Sequence, residues 1–272
     1  MERKVVLVTG GSSGIGLATC RYLQQKGCTV YGTSRKARNG ELMHGIPMLK
    51  LYTEDSQTIS EAIDWLIAKE GRIDVLINNA GTGIAGAVED TSVDEMVALF
   101  KTNVFGQLEC CRLVIPHMRK QNKGQIINIS SIAGEFGLPF RGVYSASKSA
   151  IDRFSETMRM ELKKWNISVS IVQPGDFKTN INANRIIAKR SRDKDSPYYE
   201  GFTKLYKSIS DDVSNGHNPD GVAKVIWKIV DSSYPLMRYP AATFGQRLSL
   251  SINRVLPTHL FQKLLMKRYP ID

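Results

Sequence analysis

Tyr144 and Lys148 stand four residues apart, a spacing that puts two side chains on one face of a helix. That pairing has a chemistry. A free tyrosine ionises near about pH 10, and an ammonium group beside the phenol stabilises the phenolate and draws that value down. Lowering it by about three units takes roughly 4 kcal/mol of differential stabilisation, and brings the phenol to where proton transfer is efficient near neutral pH. Alone, a tyrosine and a lysine at this spacing are usually two surface residues of a helix. A second chemical signal lies near the start, where Val5-Val6-Leu7-Val8 runs into Thr9-Gly10-Gly11-Ser12-Ser13-Gly14-Ile15-Gly16. Gly10, Gly14 and Gly16 let the backbone turn tightly and approach a pyrophosphate, which the next helix meets with unpaired N–H groups and the positive end of its dipole. The spacing differs from GxGxxG, and a glycine turn with no ligand is the other reading of this segment.

The elements that must position these residues are legible in the apolar pattern. Val5 to Val8, Thr29 to Thr33, Ile73 to Ile77, Ile126 to Ile129 and Val169 to Val172 read as buried strands, with a weaker one at Met48-Leu49-Lys50-Leu51. Helices are expected from Ile15 to Gln25, and from Ile59 to Lys69, where Ile59, Ile63, Leu66 and Ile67 share a face. Two more are expected from about Asn103 to Arg119 and from Tyr144 to Trp165, and another from Val222 to Val230 after the turn Asn218-Pro219-Asp220. Continuously apolar strands separated by helices signal a parallel sheet covered on both faces. Right-handed crossovers then make an α/β, doubly wound, mostly parallel sheet of the Rossmann type.

A chain of 272 residues suits one such domain, spanning 1–272. Residues 180–218 are polar, charged and weakly periodic, and the expected role is a substrate lid, with an idle surface insertion as the alternative. Residues 242–272 form a basic amphipathic segment that Pro257 divides into two short helices. Packing over the lid or a neighbouring subunit is the first reading of that tail, and peripheral docking on an anionic membrane is the second.

Net charge is +11, from 37 basic and 26 acidic residues, yet no base-reading module or arginine-rich arm is present and no nucleic-acid partner is expected. Hydrophobic content of 42% is enough to build a core, which sets disorder aside. The apolar run at Val5 is too short for a secretory core or a membrane span. Cys20, Cys28, Cys110 and Cys111 contain no CxxC pair and read as free thiols, so a cytoplasmic location is expected. His44, His117, His217 and His259 have no metal-ligand spacing, and no metal site is proposed.

The glycine turn is similar to the TGxxxGIG turn of the short-chain dehydrogenase/reductase superfamily, and further motifs follow in that family's order. Asn78-Asn79-Ala80-Gly81 resembles its NNAG, Ser130-Ser131 ends the fifth strand, Tyr144 and Lys148 form YxxxK, and Pro174-Gly175 with Thr179 resembles PGxxxT. Asn103 lies where the family keeps an asparagine. The likeness is strong over about residues 1–180. It implies a catalytic set of Asn103, Ser131, Tyr144 and Lys148. Tyr144 exchanges a proton with the substrate oxygen, Ser131 hydrogen-bonds that oxygen, Lys148 also holds the nicotinamide ribose, and Asn103 holds a water in a proton relay. Ser130 is one residue out of register and reads as structural. The oxidised nicotinamide's charge shares with Lys148 the task of lowering the phenol's pKa. The resemblance implies a cofactor site at Gly10, Ser12, Ser13, Gly14, Ile15, Gly16, Asn79, Ala80, Gly81, Pro174, Gly175 and Thr179, with Tyr144 and Lys148.

Ser34-Arg35-Lys36 stands at the end of the second strand, where a carboxylate would favour NAD. Ser34 removes that like charge and Arg35 can pair with a 2′-phosphate, so NADP(H) is expected, with NAD(H) left open. In place of the family's adenine-contacting aspartate this chain has Tyr52, in Leu51-Tyr52-Thr53-Glu54-Asp55. Stacking or backbone contact at Tyr52 or Thr53, or Asp55 in a shifted register, could serve instead. The last part of the chain resembles the branch of 17β-hydroxysteroid and retinol dehydrogenases, which implies a large hydrophobic alcohol or ketone. The family likeness of the helices at Asn103 and Tyr144 implies a homodimer or homotetramer. An acyl-chain or sugar ketoreductase, and a non-catalytic NADP(H)-binding redox sensor, are the competing functions. The intact set of Asn103, Ser131, Tyr144 and Lys148 argues against the sensor.

Overall fold

Four consecutive apolar residues, Val5 to Val8, are buried on both faces of the strand they form. The computed structural model describes residues 3–177, 185–214 and 216–269. In chain order the elements are β1 (Val5–Val8), α1 (Gly14–Gln25), β2 (Thr29–Ser34), β3 (Glu41–Met43), β4 (Ile46–Lys50), α2 (Ser56–Glu70), β5 (Val75–Asn78), β6 (Ile84–Ala85), α3 (Val93–Phe100), α4 (Gly106–Lys120), β7 (Gly124–Ile129) and α5 (Gly142–Glu161). They continue with β8 (Ile167–Pro174), β9 (Ile186–Ile187), α6 (Tyr199–Ser214), α7 (Asp220–Asp231), β10 (Arg238–Ala241), α8 (Phe244–Val255) and α9 (Thr258–Arg268).

The main sheet has the order β10-β8-β7-β5-β1-β2-β4-β3, parallel throughout except for the β3–β4 hairpin at one edge. Alternate residues of β1 feed two separate cores, as the two-residue period of a strand requires. Val6 and Val8 join Cys20 and Leu23 of α1 and Val222, Ile226 and Ile229 of α7. Val5 and Leu7 join Ile59, Ile63 and Leu66 of α2 and Cys110, Val114 and Met118 of α4. Full burial of a side chain such as Leu7 contributes about 1.5–3 kcal/mol.

The strand order reverses between β1 and β5, which carries both chain directions away from one crevice at the carboxyl ends of the strands. Thr9 seals the two ends there. Its hydroxyl accepts from the N–H groups of Asn79 and Ala80 at 2.9 and 3.0 Å, and its carbonyl accepts from Asn79 Nδ2 at 2.9 Å.

Strands β3, β6, β9 and β10 and helix α6 were not among the expected elements. The edge hairpin strand β3 has no apolar signature. Within 180–218, residues 180–184 and 215 lie outside the described residues, and much of the remainder is regular: β9 pairs with β6, and α6 is a helix. Phe202 and Leu205 of α6 bury against Phe140, Ala85 and Ala87. The stretch before α6 is pinned by buried Asp90, which accepts from Ser191 Oγ at 2.9 Å and Ser196 Oγ at 2.7 Å.

Candidate active site

The glycine turn leaves β1 and enters α1 with Gly10 at φ +66°, a left-handed conformation that a side chain would strain. Gly16 is needed for space: a Cβ there would stand 2.2 Å from the Gly10 carbonyl oxygen. Gly16 therefore packs beneath the turn, while Gly10, Ser12, Ser13, Gly14 and Ile15 line a cleft of about 1150 Å³. Ser13, the residue before α1, makes no side-chain hydrogen bond to the helix, so the first-turn N–H groups have no side-chain cap. This is the cradle a pyrophosphate fits. Asn79, Ala80, Gly81, Pro174 and Gly175 line the same cleft, as do Ser34 and Arg35. Thr179 lies outside the described residues. Arg35 is exposed, and Ser34 Oγ accepts from the Lys36 N–H at 3.3 Å.

At the adenine end Thr53 and Glu54 line the cleft, whereas Tyr52 does not. Asp55 is the N-cap of α2, its carboxylate accepting from Gln57 and Thr58 N–H groups at 2.9 and 3.4 Å. That assignment removes it as an adenine contact in a shifted register.

Tyr144 belongs to the first turn of α5, whose positive dipole end favours a phenolate. Ser131 follows β7 and caps a short 3₁₀ turn at Ile132–Gly134. Its oxygen accepts from the Ala133 N–H at 3.1 Å, and its hydroxyl acts on the Tyr144 phenol, favouring the phenolate. Lys148 is buried one turn along α5, its Nζ donating to the Ile129 carbonyl at 2.9 Å. Burial pushes that ammonium down to about 8, against the pull of the Asp152 carboxylate. Ser131, Tyr144 and Lys148 all face the cleft.

The electrostatics of the phenol depart from the expectation drawn from YxxxK. Lys148 Nζ lies 5.9 Å from the Tyr144 ring centroid and is held by a backbone carbonyl. Burial pushes the phenol up from its ordinary value, the Ser131 hydroxyl and the guanidinium charges of Arg185 and Arg141 pull it down, and the Asp176 carboxylate adds a smaller upward push. Neither arginine was singled out in the sequence, although Arg141 precedes Tyr144 by three residues and so shares its helical face.

Asn103 does not line the cleft. It sits, fully buried, in a π-helical turn at Lys101–Phe105 between α3 and α4. Such single wide turns break the regular bonding of a helix and recur at functional positions. Its amide accepts from the Thr82 N–H at 2.8 Å and donates to the Thr82 carbonyl at 2.9 Å and to Ser147 Oγ at 3.2 Å. Asn103 thus clamps the β5–β6 loop onto α5 behind Gly81. Ser130 lies at the cleft wall beside Ser131, but its hydroxyl donates to the Lys148 carbonyl at 3.3 Å.

A cluster of apolar side chains lines one part of the cleft. Phe136 and Leu138 face Ile252 of α8 and Phe261, Leu264 and Leu265 of α9 across it. Phe261 is buried, with its ring centroid 5.0 Å from that of Phe136 in a T-shaped contact. Pro257 stands at the junction of α8 and α9. Among the described residues no helix is long and apolar enough to cross a membrane.

Comparison with known proteins agrees with this geometry. A family model described as short chain dehydrogenase matches residues 4–189. A 3-ketodihydrosphingosine reductase from Bacteroides thetaiotaomicron is 38% identical over 271 residues, covering 100% of both chains. Retinol dehydrogenase 8 from Bos taurus is 31% identical over 257 residues, covering 86% of this chain and 80% of its own. Among solved structures, a short-chain dehydrogenase from Streptomyces avermitilis superposes with a TM-score of 0.81 at 28% identity, covering 99% of this chain and 96% of that one. ElxO with NADP bound gives 0.72 at 25% identity, covering 88% and 97%. The chain is an oxidoreductase and belongs to the short-chain dehydrogenase/reductase superfamily.

Proposed function

We propose that the protein is an NADP(H)-dependent reductase of a hydrophobic, long-chain ketone, working through Tyr144. The observation that carries this reading is the one cleft that is lined by the glycine turn, by Ser131 and Tyr144, and by apolar side chains of α8 and α9. The name of the Bacteroides relative is that of a reductase acting on a keto group. A chamber walled by Phe136, Phe261 and Leu265 does not suit a sugar, and a redox sensor has no use for a proton-donating tyrosine.

The residues present fit a dinucleotide: a turn too tight for side chains, uncapped helix N–H groups, and a basic loop at the end of β2. When bound, the nicotinamide supplies the hydride for reduction. The chain's own residues do the rest. Tyr144 gives its proton to the carbonyl oxygen, and Ser131 donates a hydrogen bond as charge develops there. Lys148 holds the ribose and favours the phenolate that remains, and Asn103 anchors the path by which Lys148 is reprotonated. Arg35, with Ser34 in place of an acid, selects the 2′-phosphate. Thr179 is assigned to the cofactor site by the family resemblance, and 180–218 is read as the lid.

The protein is read as a cytoplasmic homodimer or homotetramer paired through α4 and α5, near which Phe105, Phe154 and Met160 are exposed. NADPH oxidation by purified protein tests the function. Long-chain ketones should support turnover and matched polar sugars should not. Sugar turnover without ketone turnover would overturn the substrate class.

A further inference from the structure

Arg185 and Arg141 both act on Tyr144 from the cleft wall, and among the described residues no carboxylate forms an ion pair with either. Arg185 stands immediately before β9, where the Ile186 N–H bonds the Gly83 carbonyl at 2.9 Å, so a paired strand fixes its backbone. Its side chain lies across Gly83, with Nε 3.4 Å from where a Cβ on that glycine would stand. Arg141 is the residue before α5, and its guanidinium packs 5.3 Å from the Tyr269 ring centroid. Both side chains line the cleft. Arg185 Nη1 and Arg141 Nε are buried and have no hydrogen-bond partner. Asp176 also lines the cleft, its carboxylate accepting from Gln246 Nε2 at 2.6 Å, and it offsets part of the charge on Arg185, one negative charge against two guanidiniums.

Buried charges are ordinarily paired, and two like charges in one chamber cost more than one. Burial and the charge of Arg141 hold the Arg185 guanidinium below its ordinary value, as mutual repulsion requires. The N-terminus of α5 adds partial positive charge at the same place and has no side-chain cap. A dinucleotide's phosphates belong at the glycine turn and Arg35, so they do not answer this charge. What answers it is an anion on the substrate.

We propose that Arg185 and Arg141 form an oxyanion-binding site beside Tyr144, which selects ketones bearing a carboxylate or phosphate head group while the chain lies among Phe261, Leu264 and Leu265. The proposal rests on the reductase reading and deepens it. Guanidinium groups bind either oxyanion through paired N–H donors, and a cationic head is repelled.

The test uses the full chain with NADPH and a matched set of long-chain ketones whose heads are phosphate, carboxylate, hydroxyl or ammonium. At least one oxyanion head should exceed the hydroxyl in kcat/KM by about tenfold or more, the effect of a hydrogen bond to a charged group, and the ammonium should rank last. Whichever of phosphate and carboxylate leads identifies the head. Arg185→Gln should collapse the ratio of anionic to neutral ketone, and Arg185→Lys should keep most of it, with NADPH binding by fluorescence checking that each variant is folded. Calorimetry with octyl phosphate and octanoate, which cannot be reduced, provides a readout independent of turnover. If an octyl anion binds in an Arg185-dependent way but no ketone is turned over, the site stands and the reductase reading falls. Equal turnover of neutral and anionic ketones, preference for the ammonium, or an anion preference that survives Arg185→Gln would overturn the site.

Discussion

Arg238 Nη1 lies 3.1 Å from Asp152 Oδ2, joining the edge strand β10 to a carboxylate one helical turn beyond Lys148. The same guanidinium also pairs with Glu135 at 2.6 Å and with Glu156. Gln173 Nε2 donates to both Glu135 and Asp152, at 2.7 and 3.1 Å. Asp152 is the charge that holds the Lys148 ammonium up against burial. Arg238 is therefore the cation that makes a buried carboxylate tolerable there.

Arg238→Met leaves Asp152, Glu135 and Glu156 facing one another without their shared cation. Removing one partner of a buried ion pair costs about 3 kcal/mol or more. Urea denaturation at neutral pH should show a loss of that order. A loss below about 1 kcal/mol would mean the network is as weak as an ordinary surface pair.

Lys148 should titrate near 8 in the folded protein, against an ordinary value of 10.5. Between those two values the unfolded chain binds more protons than the folded one, so this group makes the fold more stable as pH rises through that window. Below about 8 both states hold the proton and the slope disappears. Lys148→Met should flatten the rise in unfolding free energy between pH 8 and 10 relative to the parent. An NMR midpoint for Lys148 near its ordinary value would contradict this.

Arg35→Ala should reduce the preference for NADPH over NADH by about tenfold or more in kcat/KM, as loss of a charge-assisted hydrogen bond does. A parent protein that uses both cofactors equally would show that the basic loop after β2 does not read the 2′-phosphate.

Light scattering at micromolar concentration should show a dimer or tetramer. Replacing exposed Phe154 of α5 with Glu should shift it toward monomer. A monomeric parent would remove α4 and α5 as a pairing face.

The parallel strands were legible because strands covered on both faces read as unbroken apolar runs, and β1, β2 and β7 did so. Tyr144, Lys148 and the glycine turn stood out because local spacing alone expresses their chemistry. Strand β3 was hidden because an edge strand that is largely exposed needs no apolar signature. Helix α6 was hidden because charged residues interrupt the buried contacts of Phe202 and Leu205. Arg141, Arg185 and Asp152 acquire their meaning only through tertiary convergence. Of these, only Arg141 and Asp152 left a trace, three residues before Tyr144 and four after Lys148.

The proposed reduction turns on proton transfer from Tyr144. Tyr144→Phe removes the hydroxyl and almost no volume, so the cleft and NADPH binding should persist while ketone reduction falls by at least a hundredfold, the lower range for loss of a positioned acid. Steady-state NADPH oxidation with a long-chain ketone, beside NADPH titration by fluorescence, measures both. Lost turnover with retained binding is the predicted result; turnover within a few-fold of the parent would contradict the account.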